Sequence, residues 1–213
     1  MPKIKLPTKA PHIDMTPMVD LFSVVLTFLM LTTTMRQPEP APVDTPFSVS
    51  DRTAPDVNIM TLLLSADNRV FFNVDNGPDT SLHYKAKILK DMGTRFNITF
   101  TDEELKTFEA YPSSFGMPIQ NMKSFLNTND SKERAVLQEK GMPCDSTDNQ
   151  LAYWILVTRQ VNPQVKACIK GDNNAPYPLV KKVLDILQDK NVNRFNLITN
   201  LEATKVTSEE SEE

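Results

Sequence analysis

Apolar residues are concentrated in one stretch near the N-terminus and recur periodically through the rest of the chain. The stretch runs from Ile13 to Met35 (IDMTPMVDLFSVVLTFLMLTTTM), and its apolar run contains a carboxylate, Asp20. At a rise of 1.5 Å per residue, a helix of this length measures about 33 Å, enough for a hydrocarbon core of about 30 Å. The pattern therefore predicts a single membrane-spanning helix over residues 13–35.

A cleaved signal peptide has a similar pattern, because Lys3, Lys5 and Lys9 precede the apolar run. However, no cleavage site made of small residues follows, and Asp20 would weaken the apolar region of such a peptide. We therefore favour a retained span, preceded by a basic stub over residues 1–12. Lysines beside a span indicate a cytoplasmic N-terminus, so the remainder of the chain is expected in the periplasm of a bacterial cell.

Residues 36–56 (RQPEPAPVDTPFSVSDRTAPD) differ sharply in composition from the span. Their five prolines disfavour a helix and favour extended, semi-rigid chain. A merely disordered linker is the alternative interpretation. Under either interpretation the segment is expected to act as a periplasmic spacer.

A folded domain is expected over residues 57–201. NIMTLLL and RVFFNV predict a hairpin around SADN, and Asp79 to Met92 has helical periodicity with Gly93 as its stop. Asn97 to Phe100 is expected to form a short strand. Thr101 and Glu104 have the spacing of a capping box at the start of a helix. Residues 94–144 are interpreted as an insertion of unassigned role.

The C-terminal half of this domain has a clearer pattern. TDNQLAYWILVTRQ predicts a helix, VKACIKGD a strand, YPLVKKVLDILQDK an amphipathic helix and NVNRFNLITNL a final strand. The apolar face of the amphipathic helix consists of Leu179, Val183, Ile186 and Leu187. We therefore expect a small α+β domain, a mixed sheet with helices on one face, followed by an acidic tail over residues 202–213.

Charge and motifs narrow the classes of function. The net charge of -4 argues against nucleic acid as a partner, because phosphate binding needs a positive surface. The sequence contains no zinc-ligand spacing, no glycine-rich phosphate loop and no nucleophile elbow. We therefore expect a protein that is not an enzyme and needs no metal or cofactor. Cys144 and Cys168 could pair in an oxidising compartment or remain unpaired thiols.

Asp20 is the candidate functional residue. A carboxylate in hydrocarbon is costly and usually faces protein or a water-filled cavity, where loss of water favours its neutral form. Thr16, Ser23 and Thr27 fall on the same side of a helix as Asp20, which predicts a face that lines a proton path. The alternative is that Asp20 lies in the headgroup region and only marks the membrane edge. One helix cannot enclose a path, so partner helices are required.

IDMTPMVDLFSVVLTFLML resembles the start of the ExbD/TolR family of biopolymer transport proteins. The family motif begins with Asn or Asp, followed by any residue, Thr-Pro, any two residues and Asp. In this sequence it is matched by Asp14, Thr16, Pro17 and Asp20. VNIMTLLLSADNRVFFN is similar to the family's first hairpin. CIKGDNNAPYPLVKKVLDILQDKNVNRFNLIT is similar to its strand–helix–strand ending. The likeness covers about residues 11–76 and 165–200.

The resemblance implies that Asp20 is the membrane aspartate that responds to the proton gradient. It also implies a second copy of this chain, a multi-span ring protein of the ExbB/TolQ type and a TonB- or TolA-like transducer that acts on the outer membrane. The expected function is thus a subunit of an inner-membrane motor driven by the proton motive force. Two alternatives are a TolR-like subunit for envelope integrity or motility, and a membrane-anchored periplasmic scaffold with no proton role.

Overall fold

The computed structural model describes residues 15–32, 39–50, 52–53, 55–128, 130–145 and 147–202. The chain divides into two units, residues 1–37 and 38–213. The first unit contains one described helix, α1 (Thr16–Thr32), and none of its side chains is buried. Within the described ranges, no helix combines the length and the hydropathy that crossing a membrane requires.

The second unit is a mixed α+β domain, as the pattern of the sequence predicted. Two 3₁₀ turns, Thr80–Leu82 and Ile119–Asn121, accompany its helices and strands. In chain order these are β1 (Phe47–Ser48), β2 (Ile59–Leu64), β3 (Val70–Val74), α2 (Tyr84–Arg95), α3 (Asp102–Ala110), α4 (Met122–Asn127), α5 (Ser131–Leu137), α6 (Gln150–Val161), β4 (Lys166–Gly171), α7 (Tyr177–Asp189), β5 (Phe195–Leu197) and β6 (Asn200–Leu201).

The main sheet has four strands in the order β3-β2-β4-β5. β2 and β3 form the predicted antiparallel hairpin, with Leu64 opposite Val70 at the turn. β2 and β4 are parallel, as are β4 and β5. The predicted final strand is divided, because β6 leaves this sheet and pairs in parallel with β1.

The main core lies between one face of this sheet and the helices. Buried residues of β2 and β3, such as Leu62 and Phe72, contact helix residues that include Trp154 of α6, which is fully buried. The four residues predicted to form the apolar face of α7 are all buried: Leu179, Val183, Ile186 and Leu187. The 3.6-residue period of α7 therefore identified the side that packs on the sheet.

Residues 94–144 are an integral part of this core. Buried side chains from α3, α4 and the chain between them join the same cluster as the sheet: Phe108, Phe115, Met117, Ile119, Met122 and Phe125. The ring of Phe115 lies 5.0 Å from that of Trp154. Removing this segment would therefore expose apolar side chains on the helix side of the sheet, among them Phe72 and Trp154.

Local predictions around α2 and α3 had different outcomes. The capping box is confirmed, because the Glu104 N–H donates to Thr101 Oγ1 and the Thr101 N–H donates to Glu104 Oε2. The helix predicted from Asp79 is instead a 3₁₀ turn followed by α2, which passes through Gly93. Gly93 allows the Ile98 carbonyl to lie against α2, where a Cβ would collide with it.

The prediction of a strand from Asn97 to Phe100 is wrong, because no strand forms there. Asn97 has a positive φ of 55°, and the Ile98 N–H donates to the Gly93 carbonyl at 2.8 Å. The chain thus turns back on the C-terminal end of α2. A residue in the left-handed region interrupts the extended backbone that a strand requires.

Residues 39–50, which we call the strap, contact the domain, whereas the sequence predicted that residues 36–56 form a spacer. Ala41 of the strap is buried against Leu63 and Phe71 on the sheet face opposite the helices. Glu39 bonds Lys170 at 2.6 Å, and the Asp44 N–H donates to Asp172 Oδ2 at 2.9 Å. The strap forms no helix, in keeping with its prolines, and the burial of Ala41 and these distant partners hold it on the domain.

Candidate functional site

The start of α1 is set by its Thr-Pro pair. The helix begins at Thr16, and the Met15 carbonyl accepts hydrogen bonds from the N–H groups of Met18 and Val19, both at 3.1 Å. Pro17 lies in the first turn, where its missing N–H costs no helical hydrogen bond. Asp20 is therefore about 6 Å along the axis from Thr16, just beyond the first turn.

The polar stripe, defined as Thr16, Asp20, Ser23 and Thr27, lies along one side of this helix. The members are three or four residues apart, and such residues are neighbours on a helix surface. The Thr27 hydroxyl donates to the Val24 carbonyl at 2.9 Å. The lone pairs of the Thr27 oxygen can therefore accept a hydrogen bond from a donor outside the helix. Helix α1 thus places these four residues on one side, and their role in lining a proton path stays a prediction.

The surface around the stripe combines polar side chains with exposed apolar ones. Thr16, Asp20 and Ser23 line one concave surface together with Pro17 and Val19. Bulky apolar side chains occupy the remaining surface of α1 and are highly exposed, as illustrated by Phe22 at 65% and Phe28 at 63%. Such an apolar surface, interrupted by one carboxylate, is typical of a helix that is surrounded by lipid or by other helices.

One position of the predicted motif lies outside the described residues. This position is Asp14, two residues before Thr16 in the sequence. The roles assigned to Asp14, Pro17 and the polar stripe therefore remain predictions.

Cys144 and Cys168 are both free thiols, so the disulfide considered from the sequence is not formed. Burial raises the pKa of the Cys144 thiol, although the nearby Lys182 charge partly offsets this effect. Burial also raises the pKa of Cys168, which is buried in β4. A raised pKa keeps both thiols protonated at neutral pH, which is typical of cysteines with a packing role.

The described part of the domain does not bring together a metal-binding or catalytic cluster. No group of three or more His, Cys, Asp and Glu side chains there could hold a metal ion. His83 Nδ1 lies 2.8 Å from Glu109 Oε1, a contact that joins the start of α2 to the end of α3. This pair is a structural contact between two helices.

One surface feature, the free edge of the sheet at β5, could not be predicted from the sequence. The cations that surround this edge, Arg52, Lys166 and Arg194, are far apart in the sequence and show no motif. No pattern along the chain could have brought them together. Only the parallel pairing of β4 with β5 makes Lys166 and Arg194 neighbours.

Comparison with protein-family models finds a match. A family model described as "ExbD: Biopolymer transport protein ExbD/TolR" matches residues 7–104, which include α1, the strap, the hairpin and α2. No curated protein and no solved structure matches the chain. The family resemblance is thereby confirmed over these residues, while the likeness of residues 165–200 remains a prediction.

Proposed function

Because residues 7–104 belong to the ExbD/TolR family of biopolymer transport proteins, we propose that this chain is a single-span subunit of a motor in the bacterial inner membrane. In this proposal the proton motive force drives the motor, and Asp20 is the group that takes up and releases the proton. The N-terminus is cytoplasmic and the α+β domain periplasmic. Residues 13–35 cross the membrane, a span that extends beyond the described helix on both sides.

The observation that carries the proposal is the polar stripe on an otherwise apolar helix. Asp20 is exposed on α1, and hydroxyl side chains continue along its side of the helix in both directions. Hydroxyl groups can donate and accept hydrogen bonds, so they can hold water beside a carboxylate while its proton is exchanged. The apolar residues elsewhere on α1 are suited to packing against lipid or partner helices.

The proposal also names partners. One helix cannot surround a proton path, so α1 requires a multi-span ring protein of the ExbB/TolQ type and a second copy of this chain. The periplasmic domain would pass the motion to a TonB- or TolA-like transducer that acts on the outer membrane. Support for these partners comes from the family match and from the extent of exposed apolar surface on α1.

Substitution of Asp20 tests the proposal. Asp20→Asn keeps the size of the side chain and removes its ability to ionise, so the variant should still co-purify with the ring protein from membranes but lose energy-dependent transport across the outer membrane. Asp20→Glu should retain part of the transport. Asp91→Asn, an exposed carboxylate on α2, is the matched control and should behave as the unaltered protein. Full transport by Asp20→Asn would exclude Asp20 from the mechanism.

Exchange of the whole span distinguishes the motor from an anchored scaffold. A scaffold needs only a tether, so an unrelated transmembrane helix in place of residues 13–35 should preserve its function. A motor subunit needs the polar stripe, so the same exchange should abolish transport. Restoring only Thr16, Asp20, Ser23 and Thr27 at their original spacing in the unrelated helix should then recover part of the activity.

A further inference from the structure

A positively charged groove lies on the surface of the α+β domain. Two adjoining cavities of about 380 and 550 Å³ form this basic groove, and they share Thr53 and two residues of β5. Arg52 lines the first cavity, and Lys166 and Arg194 line the second. None of the described residues that line the groove is acidic. Positive charge is therefore concentrated there, although the net charge of the chain is -4.

The three cations of the basic groove have no counter-charge in the described part of the chain. All three are exposed, and none forms an ion pair with a described residue. By contrast, Lys170 and Lys182 each bond a carboxylate at 2.6 Å. One unpaired surface cation is ordinary, but three around a concave surface produce a field that attracts anions.

The chain carries an anionic segment next to this groove. The Glu202 N–H donates to the Ser48 carbonyl at 3.0 Å, and Ser48 lines the first cavity. Residues 203–213 follow outside the described part of the chain, and their sequence, ATKVTSEESEE, contains four glutamates and one lysine. The acidic tail is therefore anchored at the rim of the basic groove.

The spacing along the chain allows the glutamates to reach the cations. Glu209, the first glutamate after the anchor, is seven residues beyond Glu202. Extended chain covers about 3.3 Å per residue, so Glu209 can lie up to about 23 Å from the anchor. A flexible tether this short gives the glutamates an effective concentration of about millimolar. Exposed ion pairs, which are individually weak, can therefore form without a strong binding site.

We propose that the glutamates of residues 203–213 bind the basic groove of the same chain and cover it. The contacts are ion pairs between side chains. Charge complementarity favours this occupant, and the tether favours it over the same segment of a second copy, which carries equal charge without the local concentration. The bound segment neutralises the groove, so any other anionic group must displace it to bind there. The proposal does not depend on the role of Asp20, and the two can fail separately.

Cross-linking of the full chain in detergent micelles tests the proposal. A water-soluble carbodiimide joins a carboxylate to an amine that it contacts, and takes up the water released as the amide bond forms. Mass spectrometry should find the glutamates of residues 203–213 joined to Lys166 severalfold more often than to Lys87 or Lys181, which are exposed outside the groove. Added salt should lower the yield at Lys166. Equal yields at the three lysines would overturn the proposal.

Isotope labelling distinguishes the segment of the same chain from that of a second copy. Unlabelled chains are mixed with chains that carry a heavy nitrogen isotope throughout, and the mixture is then cross-linked. Links to Lys166 should join peptides of equal label only. Links between labelled and unlabelled peptides, in the proportion that random pairing gives, would assign the groove to a second copy and overturn the proposal.

Neutralisation of the arginines tests whether the groove attracts the segment. The double variant Arg52→Gln and Arg194→Gln leaves Lys166 available, and its cross-linking yield should fall about threefold or more, since two exposed ion pairs are lost. The matched control neutralises Lys132 and Lys140, which are exposed and lie outside the groove. The control changes the net charge equally and should keep most of the yield. Equal loss in both variants would reduce the effect to overall charge and overturn the site.

A free peptide with the sequence of residues 203–213 measures whether the groove is already covered. A variant with glutamine at the four glutamate positions leaves the groove open, so it should bind the fluorescent peptide severalfold more tightly than the unaltered chain does. The substitutions are Glu209→Gln, Glu210→Gln, Glu212→Gln and Glu213→Gln. The same substitutions in the peptide should abolish its binding. Equal affinity of the glutamate peptide for the variant and the unaltered chain would overturn the proposal.

Discussion

Phe72 and Phe115 exchange two backbone hydrogen bonds: the Phe72 N–H donates to the Phe115 carbonyl at 2.7 Å, and the Phe115 N–H donates to the Phe72 carbonyl at 2.8 Å. Their rings also meet edge to face, with centroids 5.9 Å apart. This pair attaches the 94–144 segment to the outer edge of β3. An otherwise exposed edge strand is thereby protected from unintended pairing.

Gly116→Ala should destabilise this attachment. An added Cβ would collide with the Phe71 ring and would lie 2.7 Å from the Val70 carbonyl oxygen, so β3 or the segment would have to move. We expect a loss of about 1–3 kcal/mol in the free energy of unfolding, the usual cost of overpacking. Denaturant unfolding measures it. Gly171→Ala is the control, because no heavy atom lies within 4 Å of its added Cβ; equal losses in both variants would contradict the close approach.

Phe125→Ala should show that the segment belongs to the core of the domain. Phe125 is fully buried, and its ring lies 5.2 Å from that of Tyr111. Truncation should lower the free energy of unfolding by about 3–5 kcal/mol in one cooperative transition. Val136→Ala, at a side chain that is 69% exposed, should change it by less than about 0.5 kcal/mol. A separate early transition for Phe125→Ala would mean that the segment unfolds independently.

The elements that the sequence predicted correctly depend on local signals. The period of α7, the hairpin of β2 and β3, and the Thr101 capping box are each encoded within a few residues. The strap could not be predicted in this way, because the Asp44 N–H bonds a carboxylate 128 positions away. The pairing of Phe72 with Phe115 likewise depends on a contact between distant parts of the chain. At the candidate site, helical spacing predicts the polar stripe from the sequence alone, while the free edge at β5 can be recognised only from the sheet topology.

Glu104 should make the stability of the domain sensitive to acid. Burial raises the pKa of this carboxyl. The pKa nevertheless lies below its usual 4.5, because the carboxylate accepts hydrogen bonds from the Thr101 N–H, the Asn127 amide and the Thr101 hydroxyl and lies near the Lys123 charge. A lowered pKa stabilises the fold above about pH 4.5, and this contribution is lost as the pH falls through the lowered pKa. Urea unfolding as a function of pH should show the loss.

Two variants separate the charge of Glu104 from its role in the capping box. Glu104→Gln keeps an oxygen that can accept from the Thr101 N–H but cannot titrate, so its stability should depend less on pH below about 4.5. Thr101→Ala removes the other half of the box and should cost about 1 kcal/mol, while Thr101→Ser should cost less. An unchanged acid response in Glu104→Gln would assign the pH dependence to other carboxylates.

Asp172 should control whether the strap stays on the domain. Its carboxylate accepts from the Asp44 N–H at 2.9 Å and from the Asn174 N–H at 2.8 Å, and these bonds lower its pKa below 3.8. Asp172→Ala removes both acceptors, so amide exchange at Asp44 and proteolysis within residues 39–50 should become severalfold faster. The unfolding midpoint of the domain should change little, because the helix-side core does not include the strap.

The pH response distinguishes this carboxylate from the other contacts of the strap. A lowered pKa stabilises docking above about pH 3.8, and the contribution disappears as the pH falls through the lowered value, so exchange at Asp44 should accelerate in acid in the unaltered chain. Asp172→Ala should exchange rapidly at every pH, and Asp189→Ala, an exposed carboxylate on α7, should follow the unaltered chain. If Asp172→Ala left exchange at Asp44 slow, the Glu39–Lys170 ion pair and the buried Ala41 would be sufficient to hold the strap.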